Sequence, residues 1–143
     1  MKKILALILT LSLTLLCFAS CGSKDKDEDE YKISDFEENL EDAGYTVESI
    51  DDSEEISEMF EDLGLENDDY KVKAILSGVN MSSLNVVIVI KCSSSSNAKK
   101  LKSDMNEASA ELGEIMGSME IKVEGSFVIL GSDDSAIDAA LGK

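Results

Sequence analysis

Histidine, tryptophan, proline and arginine are all missing from this 143-residue chain, so every basic residue is a lysine. Without histidine there is no Ser-His-Asp or Cys-His site, no histidine-based zinc site and no imidazole base. No G-x-S-x-G elbow, P-loop or dinucleotide glycine pattern stands in the sequence either. Positive charge is scarce: 13 lysines face 30 acids, for a net charge of -17. Nucleic-acid binding needs a positive face that releases counterions, so that partner class is excluded. The same balance argues against a domain lying flat on anionic lipid.

Acid is abundant and unevenly placed. Residues 25–69 hold 21 of the 30 acids and only Lys26 and Lys32, whereas residues 70–143 are nearly neutral. Solubility and mutual repulsion account for such a surface; loose calcium or cationic-partner binding is the sharper alternative. An EF-hand loop wants a central glycine and a glutamate at its twelfth position. "DDSEEISEMFED" lacks the glycine and "ENDDYK" lacks the length. Carboxylate catalysis needs two acids held about 5–10 Å apart around a substrate. Asp51, Asp52, Asp68 and Asp69 are the loop candidates for that chemistry. Abundance alone assigns no catalytic, metal-ligating or cofactor-binding residue.

The front of the chain is different in kind. Met1, Lys2 and Lys3 precede an almost wholly apolar run from Ile4 to Phe18. A spanning helix needs about 20 apolar residues, so this run fits a secretory signal instead. It ends Phe18-Ala19-Ser20-Cys21-Gly22, without an A-x-A-like cutting site. This resembles the lipobox of bacterial lipoproteins, with Phe18 standing where the family usually has leucine. The resemblance implies cleavage between Ser20 and Cys21 and a diacylglycerol on the Cys21 sulfur. Residues 1–20 are then a signal peptide, and Cys17 leaves with it. Two acyl chains hold firmly where one holds marginally, at about 0.8 kcal/mol per buried CH₂. Residues 22–30, "GSKDKDEDE", are too polar to bury anything and read as a tether behind the lipidated Cys21.

Residues 31–143 read as one domain. Ser34 and Glu37 have capping-box spacing, followed by Ile33, Phe36, Leu40 and Ala43 at helical spacing and a stop at Gly44. Tyr45–Ile50 reads as a strand. Asp52 and Glu55 offer a second cap before Ile56, Met59, Phe60 and Leu63, and Gly64 ends that helix. In Tyr70–Leu76, residues 70, 72 and 74 alternate with Lys71 and Lys73 as in a strand, with "SGVNMSS" as the turn after it. Leu84–Cys92 carries Val86–Ile90, apolar on both faces, which asks for a central position covered on both sides or by a partner. The serines of "SSSSN" suit a helix cap. A long helix from about Ala98 to Met116 then buries Ala98, Leu101, Met105, Ala108, Leu112 and Ile115. Lys99, Lys100 and Lys102 crowd its start, against the helix dipole. "MEIKVEGSFVILG" is a hairpin turning at Gly125, and Ser132-Asp133-Asp134 caps a last short helix. Cys92, at the end of an apolar strand, reads as a buried structural thiol.

The order is α-β-α-β-β-α-β-β-α. It predicts an α+β domain: a mostly antiparallel sheet of about five strands with helices largely on one face. The mature domain resembles small uncharacterised lipoproteins of Gram-positive bacteria, through "EDAGYTV", the middle hairpin and "VILGSDDSAIDAAL". That resemblance implies no activity. The sequence therefore predicts an extracytoplasmic lipoprotein, held at the cell membrane through lipid on Cys21. It acts as a non-enzymatic binding or accessory module for a protein or envelope partner, without a cofactor. Met59, Met81, Met105 and Met116 are candidates for a contact surface. A carboxylate-based hydrolase or a weak calcium-binding envelope protein is the alternative.

Overall fold

The computed structural model describes residues 31–112 and 119–143. The lipobox, the tether, Ile115 and Met116 lie outside the described residues. Within them the elements are α1 (Ile33–Asp42), β1 (Thr46–Ile50), α2 (Ser53–Asp62), a 3-10 turn (Asn67–Asp69), β2 (Ala74–Asn80), β3 (Asn85–Lys91), α3 (Ser95–Leu112), β4 (Glu120–Glu124), β5 (Phe127–Gly131) and α4 (Asp134–Ala140). This is the predicted order in an α+β domain.

The strands form one five-stranded sheet in the order β1-β2-β3-β5-β4, every neighbouring pair antiparallel. β3 is central, where its two apolar faces require it to be. β3 and β4 therefore run parallel, with α3 crossing between them and β5 inserted in the gap, as a split β-α-β unit.

Helices cover both faces, which corrects the expectation that they lie largely on one. Side chains alternate along each strand. Leu76, Val87, Val89, Phe127 and Ile129 pack under α1 and α4, whereas Ile75, Ile90, Val128 and Leu130 pack under α2 and α3. The physical reason is visible in β5, whose residues 127–131 are all buried. A strand apolar on both sides needs a layer on each. The two strand–turn–helix units, β3–α3 and β5–α4, send their helices to opposite faces.

Local side-chain chemistry fixes the helix starts. The Asp52 carboxylate accepts from the N–H groups of Glu54 (2.9 Å) and Glu55 (3.1 Å) and caps α2. Asp133 caps α4, accepting from the Ala136 N–H (2.9 Å) and the Ser135 hydroxyl (2.7 Å). These two bonds, the hydroxyl first, hold the Asp133 carboxyl below its ordinary range. The Ser94 hydroxyl accepts from Asn97 N–H (3.2 Å) at the head of α3.

Three element starts differ from expectation. α3 opens at Ser95, three residues before Ala98, because the serines expected as a cap enter its first turn. α1 starts earlier: Lys32 is its N-cap, and the Asp35 carboxylate reaches back to the Lys32 N–H (2.7 Å), in place of Ser34 and Glu37. β2 starts later: Tyr70 and Val72 are buried in the loop before it, and Ser77–Asn80 continue the strand. Gly78 permits this, because a Cβ there would stand 3.2 Å from Val87 Cγ1 and 3.4 Å from both Leu40 and Tyr45. The turn shrinks to residues 81–84, with the Asn80 carboxamide oxygen accepting from the N–H groups of Ser82 and Ser83.

Candidate functional site

The site begins with β-sheet register. Glu48, Ser77, Ile88, Leu130 and Ile121 stand opposite one another in one row across all five strands. The row belongs to the face covered by α2 and α3, since Ile88, Leu130 and Ile121 join that core. α2 contributes Met59, Phe60 and Leu63 above it, and α3 contributes Met105. Between the two helices these side chains leave a cavity of about 90 Å³, with Ile75, Ile88, Ile90 and Leu130 as its floor. All the lining side chains are apolar. Met59, Leu63 and Ile88 remain partly exposed, so the cavity is a crevice with a mouth. Met59 and Met105, two of the methionines singled out in the sequence, meet here. Met81 does not: it stands 74% exposed at the β2–β3 turn beside Leu84 at 75%. Met116 lies outside the described residues.

The rim is acidic. α2 carries Glu54, Glu55, Glu58, Glu61 and Asp62 and no lysine. Glu48 lies on the floor row itself, partly exposed. Burial raises its carboxyl pKa. Sequence reasoning did not single out Glu48. Its signal was the alternation Thr46, Glu48, Ile50, which puts a carboxylate on the same face as a core isoleucine.

The four carboxylates considered for catalysis lie apart from this crevice. Asp51, Asp52, Asp68 and Asp69 are all exposed, and none lines the crevice. Asp52 is committed to the α2 cap. Asp69 meets Lys100 at 3.4 Å in a pair whose side chains are about half exposed, a geometry that contributes little. Lys100 also lies 5.4 Å from the Tyr70 ring centroid. The Tyr70 hydroxyl donates to Asp104 at 2.7 Å, and burial together with that acceptor raises its pKa. These contacts fasten the 3-10 turn to α3. Lys99, by contrast, is solvated. No group of three or more acids and cysteines with metal-holding geometry occurs among the described residues. No helix among them is long and apolar enough to cross a membrane.

Cys92 is free and fully buried. Burial pushes its thiol up to about 12 from an ordinary 9.0. Native Cys92 is therefore expected to react with iodoacetamide at pH 8 at least about a hundredfold more slowly than in denaturant, since reaction waits for local opening. Comparable rates in the two conditions would contradict the burial. The linkage is alkaline. Between pH 9 and 12 the unfolded chain has lost this proton while the folded chain keeps it, so stability falls as pH rises above about 9. Cys92→Ala should flatten that fall in denaturation midpoints measured from pH 8 to 10.

Compared with known proteins, the chain matches no family model, no curated protein and no solved structure.

Proposed function

We propose that this protein is a lipid-anchored module on the extracytoplasmic face of the cell membrane, and that it works by binding rather than by catalysis. The observation that carries the address is the succession of a basic start, an apolar run and Phe18-Ala19-Ser20-Cys21. A diacylglyceryl group on Cys21 would hold the domain firmly by its acyl chains, and residues 22–30 would keep it clear of the surface. The binding role is supported by the chemistry the chain carries. It has no histidine, its buried thiol is poorly ionised, and its candidate loop acids are solvated or engaged in a cap or an ion pair. What remains is an apolar crevice under an acidic helix.

Cys21→Ala tests the address. In fractionated cells the wild-type protein is expected in the membrane fraction as a shortened, lipid-bearing species by intact mass. The variant is expected to accumulate as the uncut precursor without lipid. Thiol counting in denaturant gives a second reading: native protein should show one titratable thiol per chain, that of Cys92. Two or three thiols, or a wild-type mass still beginning at Met1, would refute the anchor.

A further inference from the structure

We propose that the crevice between α2 and α3 is a docking site for a basic, amphipathic peptide segment, which inserts one aliphatic side chain between Met59 and Met105 and sets its amino or guanidinium groups against Glu48 and the acids of α2. This deepens the binding-module reading and rests on it.

Three observations converge on that occupant. The first is shape and chemistry. A wholly apolar cavity of about 90 Å³ offers no polar group to hold water in place, and such cavities accept apolar groups instead. Its volume suits the end of one aliphatic side chain. The second is the wall. Met59 on α2 stands partly exposed at the mouth and Met105 on α3 lines the buried end, and unbranched thioether side chains repack around varied apolar partners. The third is charge. Glu48 shares the register row of Ile88 and Leu130, and α2 presents five acids without a lysine. A partly desolvated carboxylate in that row, one strand beyond Ser77, is stabilised when a cation arrives with the apolar group. An amphipathic helix bearing lysine or arginine beside leucine combines both features, in the helix-in-groove mode of recognition. An acidic or neutral apolar partner would leave Glu48 and α2 without a counter-charge.

The test uses native protein in detergent and a fluorescent peptide of leucine and lysine at helical spacing, with two controls. One control replaces lysine by glutamate. The other keeps the composition but scrambles the spacing. The Leu/Lys helix is expected to bind at least about tenfold more tightly than either control. Met59→Gln keeps the charge and approximate volume but makes the wall polar, and should weaken binding about tenfold. Glu48→Gln should weaken it several-fold, and Glu54→Gln, at the exposed start of α2, less. Methionine-methyl NMR on the wild type locates the contact without any variant: the Met59 and Met105 signals should shift on titration and the Met81 signal should not. Equal binding of the scrambled peptide, or indifference to Met59→Gln, would reduce the effect to bulk charge and overturn the proposal. So would shifts confined to Met81. Absence of binding would overturn it as well, and a Met59 methyl then shielded from a soluble paramagnetic probe would show that the chain fills its own crevice. Cys21→Ala fractionation is independent of every one of these readouts, so a failure of the docking site and a failure of the anchor are told apart.

Discussion

Phe127→Ala is expected to destabilise the domain by about 4 kcal/mol, roughly a thousandfold in the folding equilibrium. Phe127 is fully buried at the start of β5. Its ring lies 4.8 Å from that of Phe36, which in turn lies 5.2 Å from Tyr31. These three rings tie α1 to the sheet. On the other side the Lys91 ammonium stands 4.5 Å from the Phe127 centroid, directly across the ladder. Truncation thus removes a large transfer term, an aromatic pair worth about 0.5–1.5 kcal/mol and the surface on which a cation rests. It leaves a cavity between a helix and a strand that is itself pinned by two neighbours, so collapse cannot fill the space. Phe127→Leu keeps most of the apolar volume and should cost roughly 1–1.5 kcal/mol. Urea denaturation with unchanged slope measures both. Amide exchange adds a spatial check: protection in α1 should fall in Phe127→Ala more than protection in α2, because the two helices sit on separate cores that share only the sheet. A loss below about 1.5 kcal/mol for the alanine variant would show that α1 is not held through this ring.

That separation into two cores was present in the sequence and easy to undervalue. Val86–Ile90 is apolar at every position, and the central place of β3 follows from it. The same run also requires cover on both sides, which conflicts with a one-sided helix layer; the conflict resolves in favour of burial. Asp52 and Asp133 could be recognised as caps because capping is local, set by residues two or three apart. Gly44 and Gly125 were legible for a related reason, each taking positive φ (85° and 57°) where an element stops or turns. Alternation places β2 too early because it is weaker than tertiary packing. Tyr70 and Val72 alternate with lysines yet bury from a loop, against Phe60 (ring centroids 5.8 Å apart) and the α3 core. Gly78, which weakens a strand by propensity, sits inside β2 because Leu40 and Tyr45 press on it. The crevice was the least legible feature. Met59 is readable as part of a helical stripe, but its meeting with Met105 over Ile88 and Leu130 depends on register and on two helices sharing a face. No short-range pattern encodes that.

Gly131→Ala should cost about 2–3 kcal/mol, and it should be partly rescued by a second substitution that alone is harmful. A Cβ at position 131 would lie 2.8 Å from Ile137 Cγ1, 3.0 Å from the Asp133 carbonyl oxygen and 3.3 Å from Ala136 Cβ. The obstacle is space, because Gly131 does not need the left-handed region. β5 ends here, Ser132 N–H donates to the Val86 carbonyl at 2.9 Å, and the first turn of α4 folds directly onto the strand end. An added methyl must displace either Ile137 or the backbone that caps the helix. Ile137→Ala alone should cost about 2–4 kcal/mol by opening a cavity. In the Gly131→Ala background it should cost at least about 1 kcal/mol less, because the new methyl occupies part of the vacated volume. Rescue stays incomplete, since the Asp133 carbonyl remains 3.0 Å from the added carbon. A double-mutant cycle by urea denaturation reads the coupling. Additivity within about 0.5 kcal/mol would mean that α4 swings away as a unit instead of being locked against the sheet by Ile137. Close contact between a strand end and a helix start would then be a matter of proximity, not of the packing that holds this face of the domain closed.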